Sequence, residues 1–474
     1  MFAFTDLLVM FAAFFAGRLV SLWYAGHDTT AAASAVVPDP AVLLPLLTVY
    51  AMLACGLLLS FRRLGHYSRR RPVWQEVGDV LSFGIAAGVV NMALVFLLKA
   101  DISRLWMLIT WALVVLLIPL SRFVLKHSMM QRGKWIRSTV VVGTGRNAQD
   151  TAYALTSNPM LGYRIEAFLA PRIEGYDPPD SIEIDGRDVP VYSLDVKSGL
   201  LPLELGRPHV TIAFEMEDMA RCDGLIEKLN LYYGDVDLVS PMRGLPLNNT
   251  KVTHFFGHDI LALRLYNNLS RPWPQVIKRA FDVVAGTCLL IAASPVMAVI
   301  ALRLYREGGP IFFSHTRVGF GGRPFKCHKF RSMVPDAAER LAELLARDPQ
   351  AREEWERDRK LKDDPRVTPT GNFLRRTSLD ELPQIWNVLR GEMSLVGPRP
   401  ITRDELLRYG DDAVYYIETR PGLTGLWQVS GRNDIDYEQR VHLDGWYVKN
   451  WNLWYDLVIL MQTALVVLGK RGAY

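Results

Sequence analysis

Two adjacent acids, Asp380 and Glu381, stand in the stretch of sequence that is richest in residues able to do chemistry. Basic side chains and glycine-proline segments make up the other motifs there: Lys326-Cys327-His328-Lys329-Phe330-Arg331, Arg375-Arg376, Val396-Gly397-Pro398-Arg399-Pro400, Arg420-Pro421-Gly422-Leu423-Thr424-Gly425 and Trp427-Gln428-Val429-Ser430-Gly431-Arg432. Guanidinium groups pair with phosphate through two parallel hydrogen bonds, and small residues let the backbone approach a ligand. The pattern indicates an anionic phosphate substrate.

The acidic pair also has a purely structural interpretation. Ser378-Leu379-Asp380-Glu381 matches a capping box, and acids in a first helical turn complement the helix dipole. Pro383 would then obstruct that first turn. If Pro383 is instead the first helical residue, both acids lie just upstream of the helix. The pattern leaves both interpretations open.

Either arrangement permits chemistry at the pair. A carboxylate at a positive helix terminus, near Arg375 and Arg376, stays ionised and can attack phosphorus. Its neighbour can help to hold Mg²⁺, which takes few protein ligands and bridges substrate phosphates.

The composition predicts a membrane part joined to a soluble part. Half of the 474 residues are hydrophobic, yet 22% are charged, and the formal net charge is only +5. Four cysteines lie far apart and form no Cys-x-x-Cys pair, which argues against a disulfide framework or a zinc site.

Four apolar runs fill the first quarter of the chain, and each approaches the ~20 residues that a membrane-spanning helix needs. They are Phe4 to Tyr24, Ala41 to Phe61, Val80 to Leu98 and Leu105 to Leu125. The first lacks a basic start and a convincing cleavage site, so we expect a retained helix rather than a signal peptide.

Loop charges orient this predicted four-helix transmembrane bundle. The segment from Arg62 to Arg71 holds five arginines and no acid, whereas the segment from Ala25 to Pro40 has no lysine or arginine. Basic residues also follow the fourth run: Arg122, Lys126, Arg132, Lys134 and Arg137. The third-to-fourth loop has only Lys99 and Arg104. The positive-inside rule therefore places both ends of the bundle in the cytoplasm.

A soluble α/β segment follows. Strand 138–142 runs into Gly143-Thr144-Gly145-Arg146-Asn147-Ala148 and then a helix through Leu155, which is the start of a dinucleotide-binding fold with alanine at the third glycine position. The second strand ends in Ala170-Pro171-Arg172, without the acid that would hold a ribose hydroxyl. We expect a Rossmann-like domain with a structural or regulatory role.

An uncharged run from Val283 to Leu302 is long enough to span a bilayer, but two features favour a re-entrant helix that returns to the same side. Lys278-Arg279 precedes the run and Arg303 follows it, so both ends prefer the cytoplasm. Ser294-Pro295 lies mid-run, where proline bends a helix and a serine hydroxyl can bond the freed carbonyl.

Two later segments read as surface helices. The charged stretch from Pro335 to Arg366 predicts an exposed helix. The apolar run from Leu457 to Leu468 is too short to span and predicts a helix in the headgroup layer. An aromatic cluster precedes that run, and its members are Trp446, Tyr447, Trp451, Trp454 and Tyr455.

From about Lys278 onward the sequence resembles the bacterial sugar transferases, the monotopic phosphoglycosyl transferases. The resemblance rests on Lys278-Arg279 with Ser294-Pro295, Lys329-Phe330-Arg331-Ser332-Met333, the run from Thr377 to Asn387, Val396 to Pro400 and Gly422 to Arg432. The whole chain is similar to the long subgroup of this family. Two short motifs also resemble that subgroup: Arg243-Gly244-Leu245-Pro246-Leu247 and the closing Gly472-Ala473-Tyr474.

The resemblance implies a ping-pong reaction that transfers hexose-1-phosphate from a UDP-sugar to undecaprenyl phosphate and releases UMP. The hexose that the resemblance favours is galactose. Asp380 would be the nucleophile and Glu381 the Mg²⁺ ligand. The phosphate-binding residues would be Lys329, Arg331, Arg375, Arg376, Arg399 and Arg432. Lys278-Arg279 would sit at the headgroups, with Ser294-Pro295 at the re-entrant bend.

The implied fold is a membrane α/β protein. It combines a four-helix transmembrane bundle at 1–130, a cytoplasmic Rossmann-like domain at 136–268 and a monotopic α-rich catalytic domain at 275–474 with a re-entrant helix at 276–305. The expected location is the bacterial inner membrane with the catalytic domain on the cytoplasmic face. Membrane lipids and a homodimer are expected partners, nucleic acid is not, and the product would initiate O-antigen, capsule or exopolysaccharide synthesis.

Other classes fit less of the sequence. UDP-glucose could replace UDP-galactose, and the sequence does not decide between them. A membrane NAD-dependent dehydratase or epimerase should carry Tyr-x-x-x-Lys, which the chain lacks. Asp235-Val236-Asp237 resembles a glycosyltransferase metal motif but lies outside the basic stretch, and an assembly scaffold would not explain so many phosphate-suited arginines.

Overall fold

The chain divides into two compact units, Met1–Arg243 and Gly244–Tyr474. The structure is a computed structural model that describes residues 1–24, 40–97, 103–172, 177–222, 224–244, 250–254, 261–266, 268–269, 271–358, 364–431 and 435–468. The loop 25–39, Lys99, Leu245 to Leu247, Arg432 and Gly472 to Tyr474 therefore lie outside the described residues.

Four long helices open the first unit: α1 (Phe2–Tyr24), α2 (Pro40–Arg63), α3 (Val73–Leu97) and α4 (Arg104–Gln131). Each is long and apolar enough to cross a membrane, as the hydrophobic runs predict. α3 begins before the predicted Val80 and α4 runs past the predicted Leu125, because polar residues at both ends still bury their side chains against neighbouring helices.

Aromatic side chains fill the interior between these helices. Phe14, Tyr50 and Trp106 are buried together, with ring centroids 4.8 to 4.9 Å apart. The Tyr50 hydroxyl donates to the Met10 carbonyl at 2.8 Å, so its polar atom is satisfied away from water. Many apolar side chains point outward from the same helices, which suits a hydrocarbon surrounding.

Two basic residues that the sequence assigned to the loop after α4 lie inside that helix instead. Arg122 is buried and donates two hydrogen bonds to Asp6, and Lys126 is buried and donates to both oxygens of Glu76 at 2.8 Å. They are internal ion pairs, so their use as loop charges was wrong. Arg132, Lys134 and Arg137 still follow the helix.

The rest of the first unit is a mixed α/β domain. Its elements are β1 (Arg137–Val142), α5 (Arg146–Thr156), β2 (Tyr163–Pro171), β3 (Ser181–Ile184), β4 (Arg187–Leu194), β5 (His209–Ile212), α6 (Met216–Arg221), α7 (Leu225–Tyr233) and β6 (Val236–Leu238). The strand order is β3-β4-β2-β1-β5-β6, and only β3 runs antiparallel to its neighbour. This confirms the predicted Rossmann-like fold.

The glycine turn after β1 is built as predicted, but a carboxylate occupies its anion-binding end. Gly143 has φ of +125°, and a Cβ there would lie 2.5 Å from the Ala213 carbonyl oxygen, so only glycine fits. The Glu215 carboxylate accepts a hydrogen bond from the Asn147 amide at 2.6 Å, at the start of α5. A dinucleotide pyrophosphate would bind at that position in this fold.

The second unit is mostly helical. Its helices are α8 (Pro272–Arg306), α9 (Ala337–Arg347), α10 (Pro349–Asp358), α11 (Pro369–Thr377), α12 (Gln384–Arg390), α13 (Arg403–Leu407), α14 (Ala413–Ile417), α15 (Leu426–Ser430), α16 (Tyr437–Asn450) and α17 (Leu453–Leu468). Its strands pair as β7 (Thr250–His254) with β8 (Leu261–Leu265), β9 (Phe312–Val318) with β10 (Pro324–Phe330), and β11 (Ser394–Val396) with β12 (Gly422–Thr424). α9 carries no buried residue, which confirms the exposed helix for the first part of the predicted stretch. The stretch divides into α9 and α10, and Arg366 at its end is buried.

Helix α8 contains the whole uncharged run and is held at both ends by the second unit. Near its start, Asp282 accepts the Leu395 amide at 3.0 Å. Near its end, Arg303 donates to the Thr370 hydroxyl at 2.8 Å. Between these contacts, large apolar side chains are exposed, and they include Val284, Ile291, Val296 and Val299.

The Ser294 hydroxyl makes the hydrogen bond that the sequence predicts, and the re-entrant bend stays a prediction. Pro295 lies inside α8 and cannot donate to the carbonyl of Ile291, four residues earlier. The Ser294 hydroxyl donates to that carbonyl at 2.8 Å. The carbonyl that Pro295 leaves without a backbone donor is therefore satisfied by a side chain.

The C-terminal aromatic cluster lies partly in the core, which corrects its predicted place at the headgroups. Tyr447 and Trp451 are buried, and both donate to the fully buried Asp456. Lys278 is also buried there and donates to Asp456 at 2.7 Å. A buried charge must be hydrogen-bonded. The hydroxyl of Tyr447 and the ring N–H of Trp451 donate to the buried Asp456, so these two aromatic side chains lie in the core.

Candidate active site

A left-handed turn places the acidic pair. Ser378 ends α11 with φ of +55°, and one 3₁₀ turn over Leu379–Glu381 then leads to α12, which begins at Gln384. The Ser378 side chain makes no capping hydrogen bond, so the capping-box interpretation was wrong. The alternative, with both acids just upstream of the next helix, is confirmed.

Strand β10 brings a lysine to the pair. The Lys329 Nζ lies 2.6 Å from Glu381 Oε1 and 3.7 Å from Asp380 Oδ2. Asp380 is only 8% exposed, whereas the side chains of Lys329 and Glu381 remain accessible. Three of the predicted site residues therefore form one charged cluster with a buried carboxylate at its inner end.

The buried position of Asp380 changes its titration. Burial raises the pKa of Asp380, while Lys329 lowers it, Glu381 raises it and Arg375 lowers it. Burial dominates, so the carboxylate is less strongly ionised than its basic sequence neighbours suggested. A poorly hydrated carboxylate is also a better nucleophile once its proton is lost.

Asn387 fixes the distance between Lys329 and the acids. This fully buried residue donates to the Lys326 carbonyl at 2.8 Å and to Glu392 at 2.6 Å, and its oxygen accepts the His328 amide at 3.1 Å. It thus fastens α12 to the part of β10 that directly precedes Lys329. The sequence placed it at the end of a motif without assigning this role.

Arg375 and Arg376 lie on the last turn of α11 and are exposed. Arg375 donates to the Ser332 hydroxyl at 3.0 Å, and its charge acts on Asp380. Arg376 makes no bond to the pair. Arg375 therefore belongs to the cluster, and Arg376 lies at its edge.

Arg399 reaches the same neighbourhood from the loop after β11. Burial raises the pKa of the Cys327 thiol to about 11, and Lys329, Glu381 and Arg399 all act on that thiol electrostatically. The Arg399 guanidinium lies 5.6 Å from the centre of the Trp427 ring, whose other cationic neighbour is Arg440 at 4.4 Å. The aromatic ring holds the guanidinium without neutralising it.

Asp444 is a functional candidate that no sequence pattern indicated. It is buried, accepts the Tyr409 hydroxyl at 2.9 Å and bonds the backbone of Arg399. Burial raises its pKa to about 7, although Tyr409, Arg440 and Arg399 each lower it. Asp444 therefore supports the Arg399 loop with a carboxylate that titrates near neutrality.

Three other predicted residues bond to helices of the second unit. Arg331 is 6% exposed and donates to the Leu304 carbonyl at the end of α8, while its Nε and Nη1 have no hydrogen-bond partner among the described residues. Phosphate binding by Arg331 therefore stays a prediction. Lys278 is internal, as described above, and Arg279 donates to the Val388 and Leu389 carbonyls of α12. The burial of Lys278 does not fit the headgroup contact expected of it.

The acidic pair has the donor set that Mg²⁺ uses. Mg²⁺ is typically bound through one or two carboxylates, substrate phosphates and several waters. Glu381 is accessible beside Asp380, and among the residues that the structure describes no group of three or more metal-ligating side chains exists. Two adjacent carboxylates suit an ion that arrives with a phosphate substrate, and they do not suit zinc.

The chain combines long apolar helices with a site made of a buried carboxylate, a lysine and arginines, and this combination defines a membrane-associated enzyme that handles an anionic substrate. Residues 273–470 match the bacterial sugar transferase family, and residues 62–189 match a CoA-binding domain.

Several curated relatives cover most of the chain. An undecaprenyl-phosphate galactose phosphotransferase of Salmonella typhimurium is 43% identical over 87% of this chain and 85% of its own length. A UDP-galactose-lipid carrier transferase of Erwinia amylovora is 41% identical over 87% of this chain and 85% of its own. A UDP-glucose:undecaprenyl-phosphate glucose-1-phosphate transferase of Escherichia coli is 34% identical over 57% and 56%. The chain belongs to the bacterial sugar transferase family.

Proposed function

We propose that this enzyme transfers a hexose-1-phosphate from a UDP-sugar to undecaprenyl phosphate and releases UMP. The observation that carries the proposal is the buried Asp380 carboxylate beside Glu381 and Lys329. Galactose is the sugar we favour, because the long relatives from Salmonella and Erwinia bear galactose in their names. UDP-glucose is the second candidate.

Two displacements at phosphorus account for the reaction. An oxygen of ionised Asp380 attacks the β-phosphorus of the UDP-sugar, the bond from that phosphorus to the bridging oxygen breaks, and UMP leaves with the electron pair. The phosphosugar is then held as an acyl phosphate. A phosphate oxygen of undecaprenyl phosphate attacks the same phosphorus, and Asp380 departs as a carboxylate.

Cationic side chains suit the charge that develops in both steps. Lys329 lies within 4 Å of Asp380 and can neutralise a phosphoryl oxygen, and the exposed guanidinium of Arg375 lies nearby. Arg399, held against Trp427, suits the phosphate of UMP or of the lipid. Glu381 would hold Mg²⁺, which when bound offsets the negative charge of the diphosphate.

Helix α8 supports a re-entrant, monotopic arrangement. A straight helix would separate Asp282 from Arg303 by about 30 Å, the thickness of the hydrocarbon core. Both residues nevertheless bond to the same folded unit, and the apolar side chains between them are exposed. A helix that dips into one leaflet accounts for the length of α8, for the contacts at its two ends and for its exposed apolar middle. Helices α1 to α4 would form the transmembrane bundle.

The basic segment from Arg62 to Arg71 favours a cytoplasmic catalytic unit at the inner membrane, where UDP-sugars are made. On this placement the lipid product would begin O-antigen, capsule or exopolysaccharide synthesis. The homodimer stays a prediction.

The test is UMP release by the purified full chain in lipid with Mg²⁺, UDP-galactose and undecaprenyl phosphate. Asp380→Asn should abolish release, because an amide is not a nucleophile toward phosphorus. Asp404→Asn, which alters an exposed acid, is the matched control and should keep the parental rate. Turnover by Asp380→Asn would remove that residue from the role, and release with UDP-glucose alone would correct the sugar.

A further inference from the structure

A cavity of about 360 Å³ opens in the first unit at the edge of the sheet opposite the glycine turn. It lies at the amino-terminal ends of β1 and β5, whereas the glycine turn follows the carboxyl end of β1. Its lining residues are Ile136, Arg137, Ser138, Arg207, Pro208, His209, Tyr232, Tyr233 and Asp235. The volume is within the range of small-ligand sites.

Contacts within the unit place this edge beside the ends of the long helices. α4 ends at Gln131, and β1 begins six residues later. Arg70, in the basic loop after α2, donates to the carbonyls of Trp135, Leu161 and Gly162, which precede β1 and β2. Since β1, β2 and β5 are parallel and adjacent, their starts share this edge. The cavity therefore opens at the level where a headgroup layer meets the helices.

The charges at the cavity leave one guanidinium available. Arg137 Nη2 forms an ion pair with Asp235 Oδ2 at 3.4 Å, and His209 Nε2 lies 2.9 Å from Asp237 Oδ2. Arg207 is exposed and makes no hydrogen bond or ion pair with any residue that the structure describes. Tyr232 adds an exposed ring on the same wall. The lining holds two arginines and one acid, Asp235, while a second acid, Asp237, pairs with His209. The unpaired guanidinium of Arg207 is therefore the group suited to an anion.

We propose that this cavity binds a phosphate group through Arg207 and Arg137. Guanidinium groups bind phosphate through paired hydrogen bonds, and basic pockets beside membrane helices bind anionic headgroups. The phosphate belongs either to a membrane lipid or to a soluble phosphate ester. The site is separate from Asp380 and does not depend on the transfer reaction.

Two binding measurements on the full chain distinguish the sources. Native mass spectrometry from mixed phosphatidylcholine and phosphatidylglycerol micelles counts retained lipids. Thermal unfolding in neutral detergent with glycerol 1-phosphate measures the soluble ester. The test variant is Arg207→Gln, which breaks no bond of the fold. Arg221→Gln, at an exposed arginine on α6, is the matched control.

Retention of phosphatidylglycerol that falls several-fold in Arg207→Gln, and not in Arg221→Gln, supports the site with a lipid as its ligand. Stabilisation by glycerol 1-phosphate that is lost only in Arg207→Gln supports the site with a soluble ligand. Equal lipid retention and equal thermal shifts in all three proteins would overturn the proposal.

Discussion

Lys329 contacts both acids of the site and favours the ionised form of Asp380. Its ammonium group lies 2.6 Å from Glu381 and 3.7 Å from Asp380, and it lowers the pKa of Asp380 against the effect of burial. Without this charge the pKa of Asp380 rises further, and the reactive carboxylate forms only at higher pH.

We therefore expect Lys329→Met to move the acid limb of the pH profile of UMP release toward higher pH and to slow the reaction at its optimum. Lys326→Met, at an exposed position on the same strand, should keep the parental profile. The measurement is the initial rate of UMP release across the acid range. An unchanged acid limb in Lys329→Met would separate Lys329 from the titration of Asp380.

Asp444 predicts a pH effect on stability. Its pKa is about 7 in the folded chain against a usual 3.8, so the folded state holds a proton that the unfolded state has lost. Stability from this group is fully present below the usual pKa and is lost as the pH rises through about 7. Tyr409, Arg440 and Arg399 face the same carboxylate, and their charge states do not change in this range.

In Asp444→Asn this contribution disappears, because the amide does not titrate. The melting temperature of the parent should fall more between pH 5.5 and pH 8 than that of Asp444→Asn, with Asp411→Asn as an exposed control. The same fall in the parent and in Asp444→Asn would contradict the assignment.

At the scale of the elements, local sequence patterns predicted the helices and strands well, but they did not predict contacts between residues far apart in the sequence. The four long helices, the strand-turn-helix at β1 and the charged surface helix α9 follow from run length and periodicity, and the structure has all of them. The acidic pair and Lys329 were also singled out from the sequence, because acidic and basic motif residues cluster there. Ser294-Pro295 was singled out because a proline interrupts an uncharged run.

Residues whose roles depend on distant partners could not be predicted. Lys278, Arg122 and Lys126 look like surface charges until Asp456, Asp6 and Glu76, far away in sequence, turn out to pair with them. Ser378 fits a cap by its neighbours, but the chain reverses there through a left-handed conformation that this residue type rarely adopts. Asp444 acts through Arg399 and Tyr409, and nothing near it in sequence indicates this.

Helix α8 carries a prediction of its own. If both of its ends are on the cytoplasmic side, a cysteine introduced at Glu339 on the exposed helix α9 should resist a membrane-impermeant maleimide in intact spheroplasts. The same Glu339→Cys protein should react after lysis, and the parent chain measures labelling of the four native cysteines. Labelling before lysis would mean that α8 spans the membrane.

At the scale of the whole molecule, the Rossmann-like domain carries a carboxylate where its fold usually binds a dinucleotide. Glu215 places a negative charge where a dinucleotide pyrophosphate would bind, and β2 ends without a ribose-binding acid. The CoA-binding match covers residues 62–189, which include only the first strands of this domain.

We accordingly expect NAD⁺ and NADH, at millimolar concentration, to leave both the melting temperature and the rate of UMP release unchanged. UDP-galactose in the same thermal assay is the positive control, since a ligand that binds only the folded state stabilises it. A saturable shift with NAD⁺ would show that Glu215 can move aside.

The re-entrant arrangement proposed for helix α8 would determine how the two proposed substrates reach the enzyme. If the middle of α8 lies in one leaflet, its two bonded ends keep the unit that carries Asp380 at a fixed height above the bilayer. The lipid phosphate then arrives by lateral diffusion within a plane, whereas the nucleotide sugar arrives from solution. The rate should follow the mole fraction of undecaprenyl phosphate in the membrane, and diluting it with other lipids should slow the enzyme even when its total amount is constant.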